Sequence, residues 1–126
     1  MAQPGARRTV PAVDPAEDLL RRLALNDEAA LGRVLTRDVG VDQRSDLGSK
    51  VELLVRLGAL LAVGAATPSL KEAVGHASAA GATTEEIVGV LVSLGPTIGL
   101  ASVVAAAPKL AVAIGYDLEN GHEAPE

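Results

Sequence analysis

The sequence predicts an all-α protein of six helices, and three observations carry that expectation. Apolar residues make up 48% of the 126-residue chain, yet Phe and Trp are absent and Tyr occurs once. A core must then be assembled from Leu, Val, Ile and Ala, whose small size suits close helix packing, and Ala is the best helix former. The stretch from residue 83 to 116 carries no charge between Glu86 and Lys109. Cap residues, prolines and glycines, finally, fall at spacings that open and close helices. The upstream helices read as cover for the apolar stretch.

Residues 1–13 hold two prolines and one glycine without a hydrophobic period, and read as a loose tail. Asp14-Pro15 then supplies an N-cap and a proline at the first helical position, opening a helix from Ala16 to about Leu25. Leu19, Leu20, Leu23 and Ala24 share one stripe of it, with Arg21 and Arg22 turned outward. Asn26 or Asp27 caps a second short helix carrying Ala30, Leu31, Val34 and Leu35. Residues 37–45 are polar, include Gly40 and read as a loop.

Asp46 is expected to open the third helix, with Leu47, Val51, Leu54 and Val55 leading an apolar run to Val63. Its exposed face is Lys50, Glu52 and Arg56. Glu52 and Arg56 are i,i+4 neighbours, and their pairing is worth about 0.3 kcal/mol. Gly64 stands where a C-cap is expected. Thr67 and Pro68 read as N-cap and first residue of a fourth helix that runs to Ala80 and ends at Gly81. Thr83 and Glu86 form a capping box for the fifth helix, which is expected to end at Gly95-Pro96. The sixth is expected to kink or break near Pro108 and to stop at Gly115. The organisation is therefore a tail over 1–13, one domain over 14–116 and a polar tail over 117–126.

The net charge of −5 lacks the basic footprint that nucleic acid demands, and no polybasic patch invites an anionic membrane. The absence of cysteine removes disulfides, thiol nucleophiles and thiolate metal sites. Arg7-Arg8 is not followed by an uninterrupted apolar segment, so no export signal is expected and the location reads as cytoplasmic. The 21 uncharged residues from Ile87 to Ala107 are long enough to cross a bilayer. Gly95-Pro96 splits them, however, and no aromatic belt flanks them. Two buried antiparallel helices fit better than a membrane span. Helices apolar all round need cover on every side. Six short helices do not supply it, and a homo-oligomer is expected.

Three passages resemble the carboxymuconolactone decarboxylase-like family, which includes the alkylhydroperoxidase D-type proteins. They are Asp46-Leu47-Gly48-Ser49-Lys50-Val51-Glu52-Leu53-Leu54 with Leu57-Gly58-Ala59-Leu60, then Ala77 through Thr83 with Glu85-Glu86-Ile87-Val88, then Leu94-Gly95-Pro96-Thr97-Ile98-Gly99-Leu100-Ala101. The resemblance covers residues 46–116. It implies a ring-like assembly, a trimer or hexamer. It also implies that the peroxidase motif Cys-x-x-Cys-x-x-x-His would fall with its cysteines at Ala66 and Ser69 and its histidine at Ala73. An alanine forms no thiolate, and a serine hydroxyl without an adjacent base does not replace one. Thiol peroxidase chemistry is excluded on that ground.

Glu52 matches the glutamate that the family places on the helix before this motif. His76, three residues after Ala73, lies near the same helix face and could act as a displaced acid/base group. Catalysis by Glu52 and His76 would need the two within hydrogen-bond reach inside a pocket. The plainer reading of His76 is a surface or interface histidine, with Glu72 four residues before it as a partner. His122 reads as solvent-exposed, Thr83 and Thr97 as caps, and Tyr116 as a plug at a helix end. Two distant histidines supply no metal site, and no cofactor is expected. Three functions remain open at this level. The first is a structural or ligand-binding homo-oligomer with a pocket for a small apolar molecule. The second is a cofactor-free decarboxylase or lactone-acting enzyme using Glu52 and His76. The third is an accessory subunit that docks a partner protein.

Overall fold

The structure is a computed structural model and describes residues 14–36 and 47–118. Its elements are α1 Pro15–Ala24, α2 Glu28–Leu35, α3 Ser49–Val63, α4 Thr67–Ala79, α5 Thr84–Ile98 and α6 Leu100–Ile114. Six helices, and no strand among the described residues, agree with the fold class read from the sequence. By contacts the chain divides into two compact units, Met1–Asp38 and Val39–Glu126.

In the first unit α1 packs on α2. Asp14 caps α1 by accepting the Ala16 N–H at 3.0 Å, with Pro15 in the first turn. Glu17–Arg21 and Asp18–Arg22 pair at 2.8 and 3.0 Å along its exposed side. Asp27, not Asn26, caps α2 through the Ala30 N–H at 3.0 Å. Asn26 instead takes φ 62, the left-handed turn conformation that asparagine tolerates.

In the second unit each helix contributes one stripe to a common core. Leu53, Leu57 and Leu61 come from α3, and Leu70, Val74 and Ala77 from α4. Ile87 and Leu91 come from α5, Ala106 and Leu110 from α6. These i,i+3 and i,i+4 spacings place each set on one helical face. No polar or charged side chain among the described residues is buried. Gly58 permits the approach of α3 to α5, since a Cβ there would stand 3.3 Å from Val90 Cγ1.

Several boundaries differ from the sequence reading. Asp46, the expected start of α3, lies outside the described residues, and Gly48 at φ 82 is the N-cap, without a side-chain bond. The cap of α4 is Ala66, whose extended backbone places Thr67 and Pro68 inside the first turn. The fifth helix does not end at Gly95-Pro96. It continues to Ile98, and Gly99 at φ 89 separates it from α6. Thr97 therefore lies within α5 and caps nothing. Likewise α6 runs unbroken through Pro108 to its left-handed C-cap at Gly115. A proline removes one bond to the carbonyl four residues earlier. Those residues are Val92 and Val104, both on exposed positions where water can serve the carbonyl. Tyr116 remains half exposed, and its backbone rather than its ring closes α6, its N–H donating to the Ala111 carbonyl at 2.8 Å. Lys109 of α6 donates to the Ala65 carbonyl at 3.2 Å, supplying a cation beside the C-terminus of α3.

Within a single chain α5 and α6 are not covered on every side, which is the shortfall expected of six short helices. Val88, Val92, Leu100, Val104 and Val112 are exposed. A four-helix unit covers one stripe of each helix, and these side chains lie off it. No helix among the described residues is long and apolar enough to cross a membrane.

Lys50, read as part of a solvent-facing edge, reaches across to α5. Its Nζ lies 3.0 and 3.3 Å from the two carboxylate oxygens of Glu86. Glu86 also completes the capping box, accepting the Thr83 N–H at 2.9 Å while its own N–H donates to the Thr83 hydroxyl at 3.0 Å. One carboxylate thus ties the start of α3 to the start of α5. The Thr83 N–H first, and the Lys50 ammonium second, hold its carboxyl below the usual glutamate value. A carboxyl that is more acidic when folded stabilises the fold above its unfolded pKa, and the gain is lost as pH falls through the folded value. Glu86→Gln should therefore flatten the fall in stability below the ordinary glutamate value of 4.5. Urea midpoints for both proteins across that window check this, and parallel curves would show that Glu86 does not contribute to acid lability.

Candidate functional site

Helices α3 and α4 are joined by residues 64–66 and meet along their leucine stripes. Beside that seam opens a groove of about 430 Å³. Leu53, Arg56, Ala59 and Leu60 line it from α3; Ser69, Glu72, Ala73 and His76 line it from α4. The positions 53, 56 and 60 on one helix, and 69, 72, 73 and 76 on the other, each form a line along a single face. Ala59 and Ala73 leave room that longer side chains would fill. The volume lies within the range of small-molecule sites, at its lower end. The floor is apolar, and the rim holds a guanidinium, a hydroxyl, a carboxylate and an imidazole.

Of the two residues expected to be functional, His76 lines the groove and Glu52 does not. The Glu52 side chain is 14% exposed and pairs with Arg56 at 3.4 Å. This is the i,i+4 pair read from the sequence. It shapes the site by holding the Arg56 guanidinium. The histidine therefore shares the groove with Arg56 and Glu72 rather than with Glu52. The side chains of Glu72 and His76, read as partners from the sequence, form no ion pair or hydrogen bond with each other or with any described residue. Ser69 and Ala73, two of the three positions that the resemblance assigns to the peroxidase motif, line the groove, and Ala66 does not. The Ser69 hydroxyl has no hydrogen-bonded base among the described residues, so it is not an activated nucleophile.

Arg56 and Glu72 were not singled out as site residues in the sequence. The available signal was their register with Leu53, Leu60, Ser69 and His76, which becomes meaningful only once α3 and α4 are known to face each other. A second cleft, beside Lys109 and Ser102, measures about 80 Å³, room for a few waters. Among the described residues no group of three or more His, Asp or Glu side chains could hold a metal. His122 lies outside them.

Fold and groove together define an all-α protein with an open, apolar-floored, polar-rimmed groove between two helices. Set against known protein families, curated proteins and solved structures, the chain matches none.

Proposed function

We propose that this chain is a small-ligand-binding homo-oligomer of the carboxymuconolactone decarboxylase-like kind, without thiol peroxidase chemistry. The observation that carries the ligand reading is the α3–α4 groove, whose floor of Leu53, Leu60 and Ala73 suits a short hydrocarbon. The groove presents His76 without Glu52, so acid/base catalysis of decarboxylation or lactone chemistry by that pair draws no support from it. Assembly is supported by apolar side chains left exposed on the charge-free stretch, Val88 and Val92 on α5 and Leu100 and Val104 on α6. The partner we assign to them is a second copy of this chain. Each copy carries a net charge of −5, and across these uncharged rows two copies can approach without opposing like charges. The family resemblance implies a trimer or hexamer.

Titration with 1-hexanol, an uncharged six-carbon probe, tests the ligand reading. Amide shifts in the ¹H–¹⁵N spectrum should saturate and map to Leu53, Leu60, Ala73 and their neighbours. Ala59→Phe, at an exposed position of the lining, should fill the groove and abolish them while leaving the helical circular dichroism intact. No saturable shift, or shifts that persist in the variant, would remove the groove as a ligand site.

A further inference from the structure

On the reading that the α3–α4 groove holds a ligand, we infer that it selects an apolar molecule ending in an ammonium group, a short alkylamine, over the corresponding carboxylate. The juxtaposition behind this is an apolar floor with a rim whose one cation, Arg56, is already engaged and whose one carboxylate, Glu72, is not.

Arg56 is the cation that would recruit an anionic ligand. Its guanidinium already carries the Glu52 carboxylate at 3.4 Å, and Glu52 is held on the same helix, one turn away. A carboxylate arriving from solution must compete with a tethered one, whose effective concentration is far higher. On the opposite wall Glu72 is exposed, and its side chain forms no hydrogen bond or ion pair with any described residue. Of the two charged side chains that line the groove, Arg56 is thus already paired with a carboxylate outside the lining, while Glu72 is left to a ligand. The groove therefore offers a cationic head an unengaged carboxylate, and an anionic head only a guanidinium that is already paired.

The remaining rim groups agree in hydrogen-bond type. An ammonium offers three donors and no acceptor. Glu72 accepts only, while the Ser69 hydroxyl and a neutral His76 imidazole can each accept as well as donate. All three stand on one line of α4, at 69, 72 and 76, beside Ala73 of the floor. A hydrocarbon tail laid against Leu53 and Leu60 would bring a terminal ammonium to that line. Because the rim is open to water, the expected discrimination is moderate, about fivefold between amine and carboxylate.

The test uses the full chain with hexylamine, 1-hexanol and hexanoate, followed by amide shifts at a pH where the amine is protonated. Affinity should fall in the order amine, alcohol, carboxylate, with the amine advantage shrinking as salt is raised. Glu72→Gln should bring the amine-to-carboxylate ratio towards one. Hexanoate binding as tightly as hexylamine, or a preference that survives Glu72→Gln, would overturn the charge selection and leave the ligand site standing. Failure of 1-hexanol to bind the groove would overturn the ligand reading itself.

Discussion

Leu57→Ala should cost about 3 kcal/mol of folding stability, the cost of deleting a fully enclosed leucine whose surroundings cannot collapse. Leu57 is 0% exposed and sits midway along the α3 stripe, between Leu53 and Leu61. Its neighbour Gly58 already brings α3 so near α5 that a Cβ there would stand 3.3 Å from Val90 Cγ1, so α3 has little freedom to move inward and fill the void. In a core without Phe or Trp, no large side chain is at hand to swing into the space. Thermal unfolding should move down by roughly 15 °C for a unit of this size. The contrast is Val63→Ala on the same helix. Val63 is 77% exposed, and its truncation should change stability by less than about 0.5 kcal/mol. Paired denaturant melts measure both, and equal losses would mean that the α3 stripe facing the core is misassigned.

Helix caps and core stripes were the legible parts of this fold, because both are local. Asp14, Thr83 and Glu86 announce helix starts through side chains that can reach only their own first turn, and each does so in the structure. Gly64 and Gly115 mark ends for the same reason, both taking left-handed C-cap conformations. The prolines misled. Pro96 and Pro108 argue for helix ends when read alone, yet each removes only one bond, and the turn between α5 and α6 is made by Gly99. The groove was half legible. His76 was marked by its chemistry, but Arg56 read as half of a surface pair and Glu72 as a partner for the histidine. Their placement on facing walls depends on how α3 packs against α4. So does the Lys50–Glu86 bridge, whose partners stand 36 residues apart in sequence. No spacing rule connects residues across that distance.

If α5 and α6 form the contact between copies, Val92→Asp and Val104→Asp should each break the assembly into single chains of 12.7 kDa. Val92 is 70% exposed and Val104 62%, each four residues from another exposed apolar side chain, Val88 and Leu100 respectively. Covering such side chains gains about 25 cal/mol per Å² of apolar surface. A carboxylate in the same place reverses that gain, because an unpaired charge buried at an interface costs several kcal/mol. In the separated chain the same aspartate faces water, so the fold should survive and the helical circular dichroism should be unchanged. Mass from light scattering, measured as the protein leaves a sizing column, distinguishes the outcomes. A wild-type chain that is itself monomeric would remove the homo-oligomer altogether. Variants that stay assembled would move the contact to the other exposed apolar row of the unit, Val51, Val55 and Val63 on α3. That row shares its helix with the groove lining, at Leu53, Arg56 and Leu60, so an interface there would link ligand binding to assembly, whereas one through α5 and α6 would leave the two independent.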